Sequence, residues 1–135
     1  MLDFDPAGQK NINFSISSVL NKDDEHYEKY KNQRMENGFD DSETYSLDYV
    51  ISQFVLPRLK RFRELTNGFP SELSSMTEWK IILDKMIAAF ELDVKRFDCT
   101  FTDVEQKVLN EGFELFFKYY HNLWAAPCAA WKSDK

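Results

Sequence analysis

Four cations fall within six residues of one segment, Leu56-Pro57-Arg58-Leu59-Lys60-Arg61-Phe62-Arg63-Glu64. At helical pitch Leu47, Ile51, Phe54, Val55, Leu59, Phe62 and Leu65 share one face, with Arg58 near the centre of that apolar stripe. Arg61 and Arg63 lie on its flanks and Lys60 points to water. A charge inside an apolar stripe is costly unless paired, so Arg58 requires a carboxylate, a phosphate or a pocket. Asp48 falls on the same inward side. Two readings follow: a structural ion pair between Arg58 and an acid, or an anion pocket in which Arg58 and Arg61, with Arg63 beside them, grip phosphate oxygens in fork geometry. In the second reading Tyr45, Trp79, Tyr119, Tyr120 and Trp124 are available to stack a base, each stacking contact being worth about 1–3 kcal/mol. Core filling is the default role of such aromatics.

The other chemical candidates are weaker. Gly38-Phe39-Asp40-Asp41-Ser42-Glu43-Thr44-Tyr45-Ser46-Leu47-Asp48 carries four carboxylates. They suit a helix N-terminus, where acids and Ser cap free backbone donors. Oxygen ligation of Mg²⁺ is the alternative, although the spacing is not that of a calcium loop. Glu111 and Glu114 form an ExxE pair on a helix face without the second half that a di-iron bundle or a nucleotide pyrophosphatase requires. His26 lies in a charged run and His121 near a helix end. The sequence holds no P-loop, no GxGxxG and no Ser-His-Asp or Cys-His order. No catalytic residue, metal site or cofactor is therefore assigned.

The elements that must position these groups are helices. Residues 23–36 are polar helix formers with Tyr27, Tyr30 and Arg34 at helical spacing, closed by Asn37-Gly38. A second helix runs from Ser42–Ser46 to about Thr66, with a kink or break expected at Pro57. A third starts at the capping box Ser75-Met76-Thr77-Glu78 and carries Trp79, Ile82, Leu83, Met86, Ile87, Phe90, Val94 and Phe97. Ile81, Ala88 and Leu92 add a second stripe, which places this helix in the middle of a bundle. A fourth opens with Thr102-Asp103-Val104-Glu105 and extends to about Trp124. The expected fold is all-α: a small bundle of three long helices plus a shorter N-terminal one. Residues 1–22 read as an irregular arm in which 12–16 alternate like a short strand, 23–126 as a single helical domain and 127–135 as a tail.

The totals narrow the function classes. The chain has 135 residues and a formal charge of −6, all of it in residues 1–48, where 11 acids oppose 5 bases. That balance disfavours nucleic-acid binding and rules against duplex DNA as a partner. Cys99 and Cys128 form no CxxC pair or Cys/His cluster, which argues against zinc and for free thiols in a reducing compartment. No signal peptide opens the sequence and no apolar run reaches the ~20 residues of a membrane span, so a soluble, intracellular protein is expected. Phe113 to Trp124 carries more aromatic surface than a small core readily hides, which makes a homodimer through that helix an expectation.

Three blocks, FDDSETYSLDYVISQFVLPRLKRFRE at 39–64, EWKIILDKMIAAFEL at 78–92 and EGFELFFKYYHNLW at 111–124, resemble in order and spacing a family of small uncharacterised proteins encoded by tailed bacteriophages. The resemblance carries over no catalytic residue. It implies a phage gene product acting in the host bacterial cytoplasm, where small proteins without enzyme motifs modulate host machinery or antiviral defence. Together with Arg58 and Arg61, this points to a non-enzymatic binding protein whose ligand is an anionic nucleotide signal or a host protein. The alternatives are a phage structural or oligomeric interaction protein and a metal-dependent nucleotide hydrolase.

Overall fold

A computed structural model describes residues 15–16, 24–95 and 100–125. Among them 73% are helical and none is in a strand, so the all-α expectation holds. The described residues form four α-helices: α1 (Tyr27–Asn37), α2 (Leu47–Leu65), α3 (Met76–Lys95) and α4 (Asp103–Lys118). Short 3-10 helices follow at Asp41–Thr44, before α2, and at Tyr120–Asn122, after α4. The chain divides into two compact units, Met1–Ile51 and Ser52–Lys135, with the boundary inside α2.

In the first unit α1 is almost wholly polar and buries only Tyr30 and Arg34, one turn apart. Gly38 closes the helix with φ 88°, a left-handed conformation that costs a residue without a Cβ little. The chain then reverses into the acidic turn, which takes the capping role. The Asp40 carboxylate accepts from the Ser42 N–H at 3.0 Å, while the Glu43 carboxylate accepts from the Asp40 N–H at 2.7 Å. Gln33 and Asp41 add a reciprocal pair, at 2.9 and 2.8 Å, tying the turn to α1. Of the 12–16 alternation only Ser15 and Ile16 are described, and neither is in a strand.

The second unit is built on α3. Trp79, Leu83, Met86, Ile87 and Phe90 form a core with Leu59 of α2, Phe116 of α4 and Tyr119. Edge-to-face ring contacts join Trp79 to Tyr119 and Phe90 to both Phe113 and Phe116, at centroid distances of 5.6, 5.0 and 5.0 Å. Helix α4 approaches α3 closely at Gly112, where a Cβ would come within 2.3 Å of the Ala89 Cβ. Three polar ties hold α2 to α3: Ser52 to Asp93 at 2.5 Å, Lys60 to Glu91 at 3.0 Å and Arg63 to Asp84 at 2.6 Å. Helix α3 thus meets α4 closely and α2 through these side-chain ties, while Ile81 of its second stripe is 51% exposed.

The helix ends refine the sequence reading. The capping box of α4 is complete: the Thr102 hydroxyl accepts from Glu105 N–H at 3.2 Å and the Glu105 carboxylate from Thr102 N–H at 2.9 Å. At α3 the Ser75 hydroxyl accepts from Glu78 N–H at 3.1 Å, but the Glu78 carboxylate takes the Ser74 hydroxyl at 2.8 Å. Helix α4 ends at Lys118 rather than near Trp124, because the Tyr119 N–H shares itself between the Leu115 and Phe117 carbonyls and the chain tightens into a 3-10 turn. Pro57 lies inside α2, which continues through it; of the kink or break expected there, the break is absent, and the helix lacks one backbone donor. Phe97, Cys99 and Cys128 lie outside the described residues.

Candidate functional site

The apolar stripe of α2 does not face inward where the helical wheel centred it. Ser52 and Leu59 are buried and Val55, Leu56 and Phe62 pack against the core. Leu47, Ile51 and Phe54 are 54%, 49% and 46% exposed, and Arg58, next on that 4-3-4 line, is exposed with them. The ties at positions 52, 60 and 63 rotate the buried centre to Leu59, one residue and about 100° from Arg58. Arg58 is thus not the inward guanidinium of the sequence reading, and Asp48, also exposed, is not an inward acid.

Arg58 nevertheless has a defined pose. Its Nη1 donates to the Phe54 carbonyl at 2.8 Å and its guanidinium carbon lies 3.8 Å from the Phe54 ring centroid, a cation–π contact. The neighbouring cations are already neutralised: Arg61 pairs with Glu64 at 3.4 Å, Arg63 with Asp84 and Lys60 with Glu91. Among the described residues, Arg58 is the one cation of this cluster without a carboxylate partner.

Beside it runs a groove of about 430 Å³ lined by Phe54, Val55, Arg58, Leu59 and Phe62 of α2 together with Phe116, Tyr120 and Leu123. Leu59 and Phe116 form its buried floor, and Phe54 and Tyr120, the latter 52% exposed, stand at its rim. Seven of the eight lining residues are apolar or aromatic and one is a cation, a composition that binds apolar matter and orients it by one charge. No family model, curated protein or solved structure matches this chain.

The remaining sequence candidates do not converge on it. Trp79 is 1% exposed inside the core and offers no face to a base. Tyr45 belongs to the first unit, where its hydroxyl lies 3.4 Å from that of Tyr30. The Tyr30 phenol is pushed up to about 12, first by that hydrogen bond, then by burial and by the nearby Tyr45, Asp40 and Asp41. Glu111 pairs with Lys85 at 3.6 Å on an exposed face, and the exposed His121 meets Tyr120 edge to face. Among the described residues no cluster of three or more His, Cys, Asp or Glu is placed to hold a metal ion, and no helix is long and apolar enough to cross a membrane. The aromatic segment after Phe113 divides: Phe116 and Tyr119 are buried, whereas Phe117 and Trp124 are 71% and 69% exposed. A second hollow, about 320 Å³ between Asn67–Pro70 and Trp124, has no charged group in its described lining.

A buried guanidinium does exist, but in α1. Arg34 is 6% exposed and its Nη1 donates at 2.6 Å to Asp40, which is fully buried. Burial alone would raise the Asp40 carboxyl; hydrogen bonds from Ser42, Arg34 and Ser15 outweigh it and hold the group below the usual carboxylate range. Ile16 N–H donates to the other buried acid, Glu43, at 3.4 Å. The signal was present in the sequence: Tyr30 and Arg34 at i, i+4, then a glycine able to return an acid within six residues.

Proposed function

We propose that this chain is a non-enzymatic binding protein whose working surface is the groove between α2 and the end of α4. In the phage setting that the resemblance implies, its partner is a host protein in the bacterial cytoplasm, and binding modulates host machinery or antiviral defence. The observation that carries this is an apolar groove rimmed by a posed guanidinium with no carboxylate partner among the described residues. A phosphate-bearing nucleotide is less well supported. Arg61 and Arg63 have carboxylates of their own, and Trp79 is unavailable for stacking.

The test places a photo-crosslinking amino acid at Tyr120 and expresses the chain in the bacterial cytoplasm. A discrete adduct that Phe54→Asp abolishes is the expected result; indiscriminate adducts, or none, overturn the groove reading. A thermal-shift panel of nucleotides and cyclic dinucleotides should leave the melting point unchanged. A rise that Arg58→Ala removes would instead establish a nucleotide ligand. A second reading, self-association, is favoured by the exposed Phe117 and Trp124. Sedimentation as a dimer that Phe117→Ser dissociates would support it.

A further inference from the structure

The groove's shape and charge narrow its occupant further, on the premise that it is a binding surface at all. Phe54, Arg58 and Phe62 stand at i, i+4 and i+8 along α2, so the wall they form is about 12 Å long, roughly two helical turns. The opposite wall is Tyr120 and Leu123. A volume of about 430 Å³ suffices for a small ligand, yet half-exposed Phe54 and Tyr120 leave the trough open along its length. An open trough between two helical segments admits a third rod that lays apolar side chains onto Leu59 and Phe116.

The charge decides what flanks that apolar face. Arg58 spends one N–H on the Phe54 carbonyl and one face on the Phe54 ring. Its remaining donors have no protein acceptor among the described residues. A guanidinium fixed this way accepts a carboxylate in two-point geometry with little further ordering. One cation suits one carboxylate: a polyanion would require Lys60, Arg61 and Arg63, which already face Glu91, Glu64 and Asp84.

We infer that the groove takes an amphipathic α-helix of another protein, apolar at i, i+3 or i+4 and i+7, with an Asp or Glu flanking that stripe opposite Arg58. This follows the groove-binding reading above and adds the partner's secondary structure and charge.

The probes are about 16-residue peptides of four helical turns: one with a Leu stripe and a flanking Glu, one with Lys in place of that Glu, and a scramble of the first. Binding to the full chain is read by fluorescence anisotropy. The Glu peptide should bind, the Lys peptide at least about tenfold more weakly and the scramble not measurably. Arg58→Glu should invert the preference, and because Arg58 is exposed this variant should keep the wild-type circular dichroism spectrum and melting point. Equal binding of the Glu and Lys peptides, equal binding of the scramble, or loss of preference without inversion would each overturn the inference. So would binding to anionic phosphatidylglycerol vesicles in place of the peptides. If every peptide fails while the Tyr120 crosslinker still yields an adduct that Phe54→Asp abolishes, the helix assignment falls and the groove reading stands. If both fail, both fall.

Discussion

The two units each fix an arginine on a helix, and they do so in opposite ways. Arg34 lies on a helix that is polar nearly all round, yet it is buried against Asp40. Arg58 lies within the most apolar line of α2, yet it is exposed and held by a carbonyl and an aromatic ring. What decides burial is therefore the partner that the chain brings back. Gly38 reverses the backbone so that Asp40 arrives six residues after Arg34, and the desolvation cost of both charges is offset at short range. Around Arg58 no acid arrives among the described residues. The acids of α3 engage Arg63 and Lys60 instead, and Arg58 is left on the rim.

The largest effect should come from breaking the buried pair. Arg34→Ala leaves Asp40 buried and without its cation, which should cost about 3–5 kcal/mol in urea unfolding. Arg58→Ala measured in parallel is the control. Comparable losses at the two positions would erase the contrast between them.

Much of this was legible in advance, and the misses share a cause. Helix existence, the Gly38 closure, the Thr102–Glu105 box and the capping role of the acidic turn are local, set by residues three or four apart, and the structure has them. The orientation of α2 is not local. Its apolar arc is broad and the helical wheel centres it on Arg58; Ser52–Asp93 and Arg63–Asp84, ties across tens of residues, move the buried centre to Leu59. Trp79 reads both as a core residue and as a stacking candidate, and a contact of the same long-range kind decides it: Tyr119 packs against the ring and makes that face core.

A middle-sized effect probes where the second unit is tightest. Helix propensity alone would make Gly112→Ala stabilising by about 1 kcal/mol. The added methyl would sit 2.3 Å from Ala89 Cβ and 2.5 Å from the Lys85 carbonyl, so the helices must separate. A net loss of about 1–3 kcal/mol is expected from overpacking. Gly68→Ala, with nothing within 4 Å of the new methyl, should instead be neutral or gain up to about 1 kcal/mol. Measured by the same unfolding curves, a tolerated Gly112→Ala would mean that the α3–α4 contact yields easily and that the second unit is held mainly elsewhere.

The first unit should also be the one that senses pH. Asp40 is held below its ordinary value, so between the folded and unfolded values the unfolded chain binds the extra proton and stability rises with pH. The contribution is complete above about pH 5 and is lost as pH falls through the folded value. The melting point should therefore drop on acidification, and Arg34→Ala should flatten that slope. At the other end Tyr30 is raised to about 12, so its contribution is present below pH 10 and lost as pH climbs toward 12. Tyr45→Phe removes the principal cause and should bring the phenolate absorbance transition back toward 10.

The smallest effect is the one on which the proposed binding turns. Arg58→Ala removes an exposed side chain, one hydrogen bond to a carbonyl that the helix itself can engage, and a cation–π contact worth about 0.5–1 kcal/mol at an exposed site. The freed Phe54 ring stays at the rim, and no buried group loses its partner. Stability should stay within about 1 kcal/mol of wild type, with the melting transition as cooperative as before. Binding of the Glu-bearing helical peptide should nevertheless fall about fivefold, because the carboxylate that flanks its apolar stripe then meets no cation at the rim. A residue that is nearly silent in folding and decisive in association is a binding residue. If Arg58→Ala instead unfolds the second unit, its guanidinium is structural like that of Arg34, and the contrast between the two units fails.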